Sequence, residues 1–586
     1  MFDLINPYLA QAGLHNPTLD LLNQDAALYN ALLFQPGEGI DWGNDYVRIA
    51  NHARAMEKFR SFFNMASEKN VELAVTPEYS CSWDVMCGLI ADDVLPAEHK
   101  LWIIGCESIK ATDLQNLINA HNDIVWVTEH EKIAANIQNN HFFNPVCYIF
   151  KTRGLINDEL KTVIVIQFKT QPLGGAALEW ERDNFIAGER LYILQNRANS
   201  SRLVTLICSD ILNPAIHIDQ LPDYVNMPYL IVHIQLNQAP NHVTFCRYRG
   251  DSYGMGRENK EFICLNWSRN ISLGNINRWN TYGGSALYLK NEEEKHLNTT
   301  DDRMNNNHKL GLYYTRWTSR YANIFFFNFD EHVFLFRTTK PSQQSVAPPL
   351  RKRTGPEMMA VYCWENGTWD SKNNINSGFD SVCAALHAVG NYNYLLGLYN
   401  DSPLNAERLI CLSVGKAANE EWYSPKSNFF FIVKDDEIAQ RLTFAQNPCA
   451  EAQARRKQYL LNYGTLEYAI IIHPHNLPDS ISDLRGNCRV GYRDGQFVNE
   501  YRLNLYPQGQ AGVPATGIYL GNNTQGDAED TLSRMIALFN ENQFGKRVVV
   551  WYYDHNGNLQ TVYQGNKPRI TDDTTKSTRS IRKIIR

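Results

Sequence analysis

The sequence predicts an α/β fold over about residues 27–335 and a second, α+β domain beyond it, and three observations carry that reading. Apolar runs at 28–34, 71–76, 101–107, 145–150, 161–168, 203–207, 228–235, 261–267 and 285–289 include several that are nearly continuous, as in strands covered on both faces. Helical periodicity lies between them, most plainly at 46–70, where Val47, Ala50, Phe59, Phe62 and Phe63 fall on one stripe. The composition then changes: residues 338–357 carry four prolines and no apolar period, the mark of a linker.

In chain order, residues 1–26 place Leu9, Leu14, Leu21 and Leu22 around breaks at Gly13 and Pro17, which predicts one or two short helices docked on the domain that follows. Residues 27–337 form that domain and 338–357 the linker, whose Arg351-Lys352-Arg353 reads as a solvated cluster. Residues 358–565 read as the α+β domain, with helices at 378–399, 436–463 and 527–542 and strands at 358–364, 428–434, 466–473 and 547–553. Asn556-Gly557 between two apolar runs predicts a tight hairpin. Residues 566–586 form a basic flexible tail with seven Lys or Arg against Asp572 and Asp573, open to a loose polyanion contact.

Composition narrows the classes. With 586 residues the chain exceeds what one hydrophobic core supports. A net charge of −6 argues against bulk binding of polyanions. Twelve cysteines occur without a Cys-x-x-Cys pair or zinc-finger spacing, which points to a reducing compartment and against structural zinc. Met1-Phe-Asp-Leu-Ile-Asn-Pro lacks the basic and apolar regions of a signal peptide, and no apolar stretch is long enough to cross a bilayer. A cytoplasmic location and no membrane contact are expected.

Three of the apolar runs each end in a reactive side chain. Pro77-Glu78 closes 71–76, Lys169 closes 161–168, and Cys208 closes 203–207, followed at once by Ser209-Asp210. Singly, each has an ordinary structural explanation: a solvated turn carboxylate, a solvated edge lysine, an inert core thiol. Together they are the parts of acyl transfer, in which a thiolate attacks, a carboxylate moves protons and an ammonium holds developing negative charge.

The order Glu78, Lys169, Cys208, with gaps of 91 and 39 residues, resembles that of the nitrilase superfamily of carbon–nitrogen hydrolases. Phe34-Gln35-Pro36, Lys169-Thr-Gln-Pro-Leu173, Glu181 seven residues before Gly188, Ile207-Cys208-Ser209-Asp210, Arg257-Glu258-Asn259 and Phe262-Ile-Cys-Leu-Asn266 all resemble family segments. Ala187, Ser209 and Gly256 depart from the usual residues and bear on the substrate more than on the chemistry. The resemblance covers about residues 27–335. It implies a four-layer α-β-β-α sandwich that pairs as a homodimer or larger oligomer. It also implies a Glu78-Lys169-Cys208 triad with Glu181 as a second carboxylate, the Ser209 backbone N–H as an oxyanion donor, and hydrolysis of an amide, more than a nitrile, through a Cys208 thioester with no metal or organic cofactor. Acyl transfer to an acceptor other than water stays open.

Such a thiol is expected to react with alkylating probes ahead of the other eleven, and a fragment ending near 340 to keep the triad. An alternative class is a regulated effector, since domains of this family also occur in bacterial antiviral systems, some beside reverse transcriptases. Residues 358–586 would then regulate it or contact a protein or nucleic acid. A third reading is the glutaminase half of an amide-forming synthetase. It rests on Ser377-Gly378-Phe379-Asp380-Ser381, which is similar to a pyrophosphate loop, but the polar approach and Phe379 argue for an ordinary helix start capped by Ser377 or Asp380. His473-Pro-His475 reads as a strand-end turn with no third ligand at a readable spacing.

Overall fold

The computed structural model describes residues 1–566 except 174–178, 198–199, 256–258, 275, 280–283, 291–296, 298, 342–353, 418–440, 448, 494–499, 510–511 and 540–541. The expected strand at 428–434, the basic cluster at 351–353, Gly256-Arg257-Glu258 and the tail from 567 lie outside the described residues. The chain divides into two compact units, one containing Met1–Ser377 and the other most of the chain from Gly378.

Among the described residues of the first unit are two large sheets in a mixed α/β arrangement. One has eight strands in the order Phe2–Leu4, Leu191–Gln195, Arg202–Ile207, Tyr229–Ile234, Lys260–Leu265, Ala286–Lys290, Ala322–Phe327 and Leu312–Trp317. The other has nine: Thr368–Lys372, Glu357–Glu365, His332–Thr339, Leu28–Gln35, Leu73–Cys81, Leu101–Cys106, Pro145–Arg153, Leu160–Phe168 and Val125–Val127. The strand leading to Cys208 runs parallel to Tyr229–Ile234, and the strand bearing Glu78 runs parallel to both its neighbours. The sheets meet where the Gln167 side chain donates to the Thr205 carbonyl at 2.9 Å and accepts from the Tyr192 N–H at 2.9 Å. Apart from Arg202, the strands Arg202–Ile207 and Tyr229–Ile234 are buried, so their apolar runs need no alternation.

Helices cover the sheets through aromatic contacts. His52–Glu68 sets Phe59 against Phe34 at 4.8 Å between ring centroids and Phe63 against Trp102 at 5.0 Å. On the other sheet, Val243–Met255 sets Tyr253 against Phe262 at 5.3 Å. The helix expected over 46–70 starts late. Tyr46–Ile49 is a strand, with Val47 and Ile49 buried and Arg48 exposed, and the helix begins only where the Asn51 side chain accepts the Arg54 N–H. Residues 1–26 contain the expected short helix, Asn6–Gln11, but open with a strand, Phe2–Leu4, paired in parallel with Leu191–Ile193.

The domain boundary differs most from expectation. The strand Glu357–Glu365, expected to open the second domain, pairs antiparallel with His332–Thr339 in the nine-stranded sheet, and Thr368–Lys372 pairs with it in turn. Asn366 and Gly367, both at positive φ, make the two-residue turn between them. Trp369 is buried against Phe34 at 5.0 Å and donates its indole N–H to the Lys58 carbonyl at 3.1 Å. The described residues on either side of the proline-rich segment therefore belong to one sheet, and the boundary falls at Ser377–Gly378.

In the second unit, Thr516–Asn522 and Val548–Tyr553 pair in parallel, and Leu559–Tyr563 returns antiparallel through the expected Asn556-Gly557 turn. Leu409, Leu412, Leu460, Leu532, Val549 and Trp551 meet in its core. The helix expected over 378–399 is two, Phe379–Ala385 and Asn393–Asp401, broken at Gly390, where an added Cβ would lie 2.8 Å from the Gly464 backbone. Gly378, at φ +84°, takes the N-cap position of the first of these, next to the Ser377 expected there. The strand expected at 466–473 is helical. Leu466 and Ile470, four apart, are buried, while Tyr468 and Ile472 are more than half exposed. His473 and His475 sit in the short turn after it, their rings 5.5 Å apart.

Candidate active site

Glu78 stands where its strand breaks register between Thr76 and Cys81, beside Tyr79 at φ +57°. The bulge depends on Gly105 across the ladder, where a Cβ would lie 2.0 Å from the Pro77 carbonyl oxygen. Gly105→Ala is therefore expected to destabilise the protein by about 1–3 kcal/mol, as overpacking does. An unchanged urea midpoint in that variant would mean that the bulge yields without cost.

Around this bulge the structure brings the sequence-predicted residues together. The Lys169 ammonium donates to Glu78 Oε1 at 2.8 Å and to Glu181 Oε1 at 2.5 Å. Glu181, on the helix Glu179–Asn184, also accepts the Tyr79 hydroxyl at 3.0 Å and the Leu173 N–H at 2.8 Å. Lys169 is held by its own backbone, which donates to Asn144 and accepts from Gly188. Cys208 opens a short helical turn, Cys208–Leu212, with φ +42°, a left-handed conformation that L side chains adopt only at a cost. Asp210 secures this elbow. One carboxylate oxygen takes the Ile207 N–H at 2.8 Å, and the other takes the Thr170 N–H at 2.7 Å and the Thr170 hydroxyl at 2.8 Å. Ser209 is buried and donates its hydroxyl to the Gln171 carbonyl at 2.6 Å.

Further partners had no legible sequence signal. The Asn144 amide donates to Glu78 Oε1 at 2.7 Å, the Leu236 N–H to Glu78 Oε2 at 2.7 Å, and the Trp267 indole to the Glu78 carbonyl at 2.8 Å. Asn266, in the Phe262–Asn266 segment, orders the neighbouring Asn237 backbone. Among the described residues no group of three His, Cys, Asp or Glu side chains is placed to hold a metal ion.

The electrostatics bear on how Cys208 reacts. Cys208 is fully buried, Glu78 and Lys169 are 1% exposed and Glu181 is 2% exposed. Burial pushes the Cys208 thiol well above its usual range, the Glu78 charge adds to this, and the Lys169 ammonium offsets only part. Glu78 is raised by burial and by Glu181 against the pull of Lys169. Lys169 would be lowered by burial, but the charges of Glu181 and Glu78 raise it above its normal value, so it stays an ammonium. The resting site thus has one fixed cation between two carboxylates beside a neutral thiol. Rapid alkylation at neutral pH does not follow. Alkylation of Cys208 is expected to be slow at pH 7 and to accelerate only above the ordinary thiol pKa of about 8.5. Mass-spectrometric labelling rates from pH 6 to 10 check this, and a plateau already reached at pH 7 would show a resting thiolate.

No protein-family model matches the sequence, and no curated protein matches it. Solved structures do. One is a carbon–nitrogen hydrolase superfamily protein from Xanthomonas campestris, at 12% identity and a TM-score of 0.27, covering 45% of this chain and 83% of that one. Another is a glutamine-dependent NAD(+) synthetase from Cytophaga hutchinsonii, at 10% identity and a TM-score of 0.26, covering 90% of this chain and 66% of that one, just under two thirds of its length. No helix among the described residues is long and apolar enough to cross a membrane.

Proposed function

We propose that the first unit is a thiol hydrolase of the carbon–nitrogen hydrolase type, with Cys208 as nucleophile, Glu78 as general base and acid, and Lys169 as electrostatic stabiliser. The observation that carries this is the buried Lys169 ammonium bonded to both Glu78 and Glu181 beside a thiol at positive φ. The two sheets with helices packed on them fit a four-layer sandwich, which would set the reactive groups at strand ends between the sheets.

The charge balance dictates the order of events. Glu78, Glu181 and Lys169 already sum to one negative charge, and a free thiolate would add a second in a buried site. A proton passed from the Cys208 thiol to Glu78 leaves the sum unchanged, so ionisation and attack go together. The sulfur bonds to the amide carbon, and the carbonyl electrons move to oxygen, facing Lys169 and the Ser209 N–H. The carbon–nitrogen bond breaks as Glu78 returns its proton to the leaving amine. Glu78 then takes a proton from water as it attacks the thioester and hands it to the Cys208 sulfur as the carbon–sulfur bond breaks, which releases the acid and restores the thiol. Glu181 holds Lys169 throughout and adds a second carboxylate near the substrate, which favours amides over nitriles.

A panel of small amides and nitriles assayed with the full chain, with Cys208→Ala as control, tests this reading. Turnover retained by the control would remove Cys208 from the chemistry. A covalent acyl adduct on Cys208, seen by mass spectrometry during turnover, is the expected intermediate.

A further inference from the structure

We infer that His233 is a positioning residue that holds the oxyanion donor in place, an inference resting on the reading of Cys208 as nucleophile and of the Ser209 N–H as that donor. His233, Gln235 and Asn237 lie at alternate positions along the end of the strand Tyr229–Ile234 and just beyond it, so their side chains share one side of the chain. All three are buried, at 1%, 1% and 4% exposure. They form a line of hydrogen bonds whose proton directions are fixed from both ends.

At one end the Ala239 N–H, which can only donate, bonds to Asn237 Oδ1 at 2.9 Å. Asn237 must then turn its amide nitrogen to Gln235 Oε1, 3.2 Å away. Gln235 in turn presents its amide nitrogen to His233 Nδ1 at 3.1 Å. Nδ1 accepts, so the proton of the neutral ring is on Nε2, which lies 2.9 Å from the Cys208 carbonyl oxygen, a group that can only accept. Burial keeps the ring neutral by lowering its pKa to about 3, with Cys208 and Arg249 as smaller influences. The ring also stacks on Phe245, at 5.9 Å between centroids and 11° between planes.

The consequence lies in the geometry of the peptide bond. In a planar trans peptide the carbonyl of one residue and the N–H of the next point in opposite directions. Fixing the Cys208 carbonyl towards His233 therefore fixes the Ser209 N–H the other way. The same strand end sends the Leu236 N–H, between Gln235 and Asn237, to Glu78 at 2.7 Å. One strand terminus thus orients both the base and the oxyanion donor.

The test compares His233→Phe, which keeps the ring stacking but donates nothing, with His233→Gln, whose amide can reach the same carbonyl, by steady-state kinetics of the full chain on an amide from the panel. His233→Phe is expected to lower kcat by about 10²–10³, the usual cost of losing an oxyanion donor, with KM within about threefold of wild type. His233→Gln is expected to recover most of that loss. If His233→Phe does not fold, Gln235→Met, which removes the bond that dictates the tautomer, is expected to lower kcat with KM kept. Wild-type kcat in the variant that folds, or equal losses with Phe and Gln, would overturn the inference while leaving the nucleophile in place. Turnover by Cys208→Ala would instead overturn the nucleophile, and this inference with it.

Discussion

Cys208→Ala is expected to abolish amide turnover, by on the order of 10⁵-fold, with the fold preserved. The substitution removes the one atom that bonds to the substrate. It leaves a smaller apolar side chain at a fully buried position, and the hydrogen bonds that shape the elbow come from the Cys208 carbonyl and from Asp210, which the variant retains. Circular dichroism and the thermal midpoint should stay close to wild type while kcat falls below detection. Loss of activity together with loss of structure would make Cys208 a packing residue.

Lys169→Met should be nearly as damaging to turnover and far more damaging to stability. The ammonium is 1% exposed and bonds to two carboxylates that are themselves buried. An apolar side chain of similar length leaves Glu78 and Glu181 facing each other without a cation. Breaking a buried pair by removing one partner costs about 3–5 kcal/mol, and one of the carboxylates should respond by holding a proton at neutral pH. Glu78 could then no longer accept the thiol proton, and the oxyanion would lose its charge partner. A fall in kcat of at least about 10³-fold and a clear drop in the urea midpoint are expected. Near-normal activity would remove Lys169 from the chemistry and leave it a buried counter-ion for the two carboxylates.

The reactive residues were legible because each closes an apolar run, but not their meeting: two strands separate Leu73–Cys81 from Leu160–Phe168, and Arg202–Ile207 belongs to the other sheet. Glu181 was accessible only through the family resemblance, since a glutamate on a short helix has no local signature. Asn144, Leu236 and Trp267 were not legible at all. They act on Glu78 from just outside the ends of three other strands, two of them through groups that every peptide or every tryptophan possesses. The protonation of Cys208 is not legible for a related reason: it depends on the sum of burial and three neighbouring charges, which no spacing reveals. The turn at Asn366-Gly367 carries the same signal as Asn556-Gly557, which was read correctly. The prolines before it read as a linker between domains, whereas the chain rejoins its own sheet after them.

That return has a practical corollary for anyone isolating the hydrolase. A fragment stopped at 340 would end on His332–Thr339 with its outer row of backbone N–H and C=O groups stripped of Glu357–Glu365. An uncapped margin of this kind, flanked by the apolar surface that Trp369 covers in the intact chain, is an invitation to intermolecular strand addition. A fragment that keeps this sheet whole has to run past Lys372. The triad ends at residue 208, but the sheet that carries Glu78 is completed only more than 150 residues later, by Thr368–Lys372.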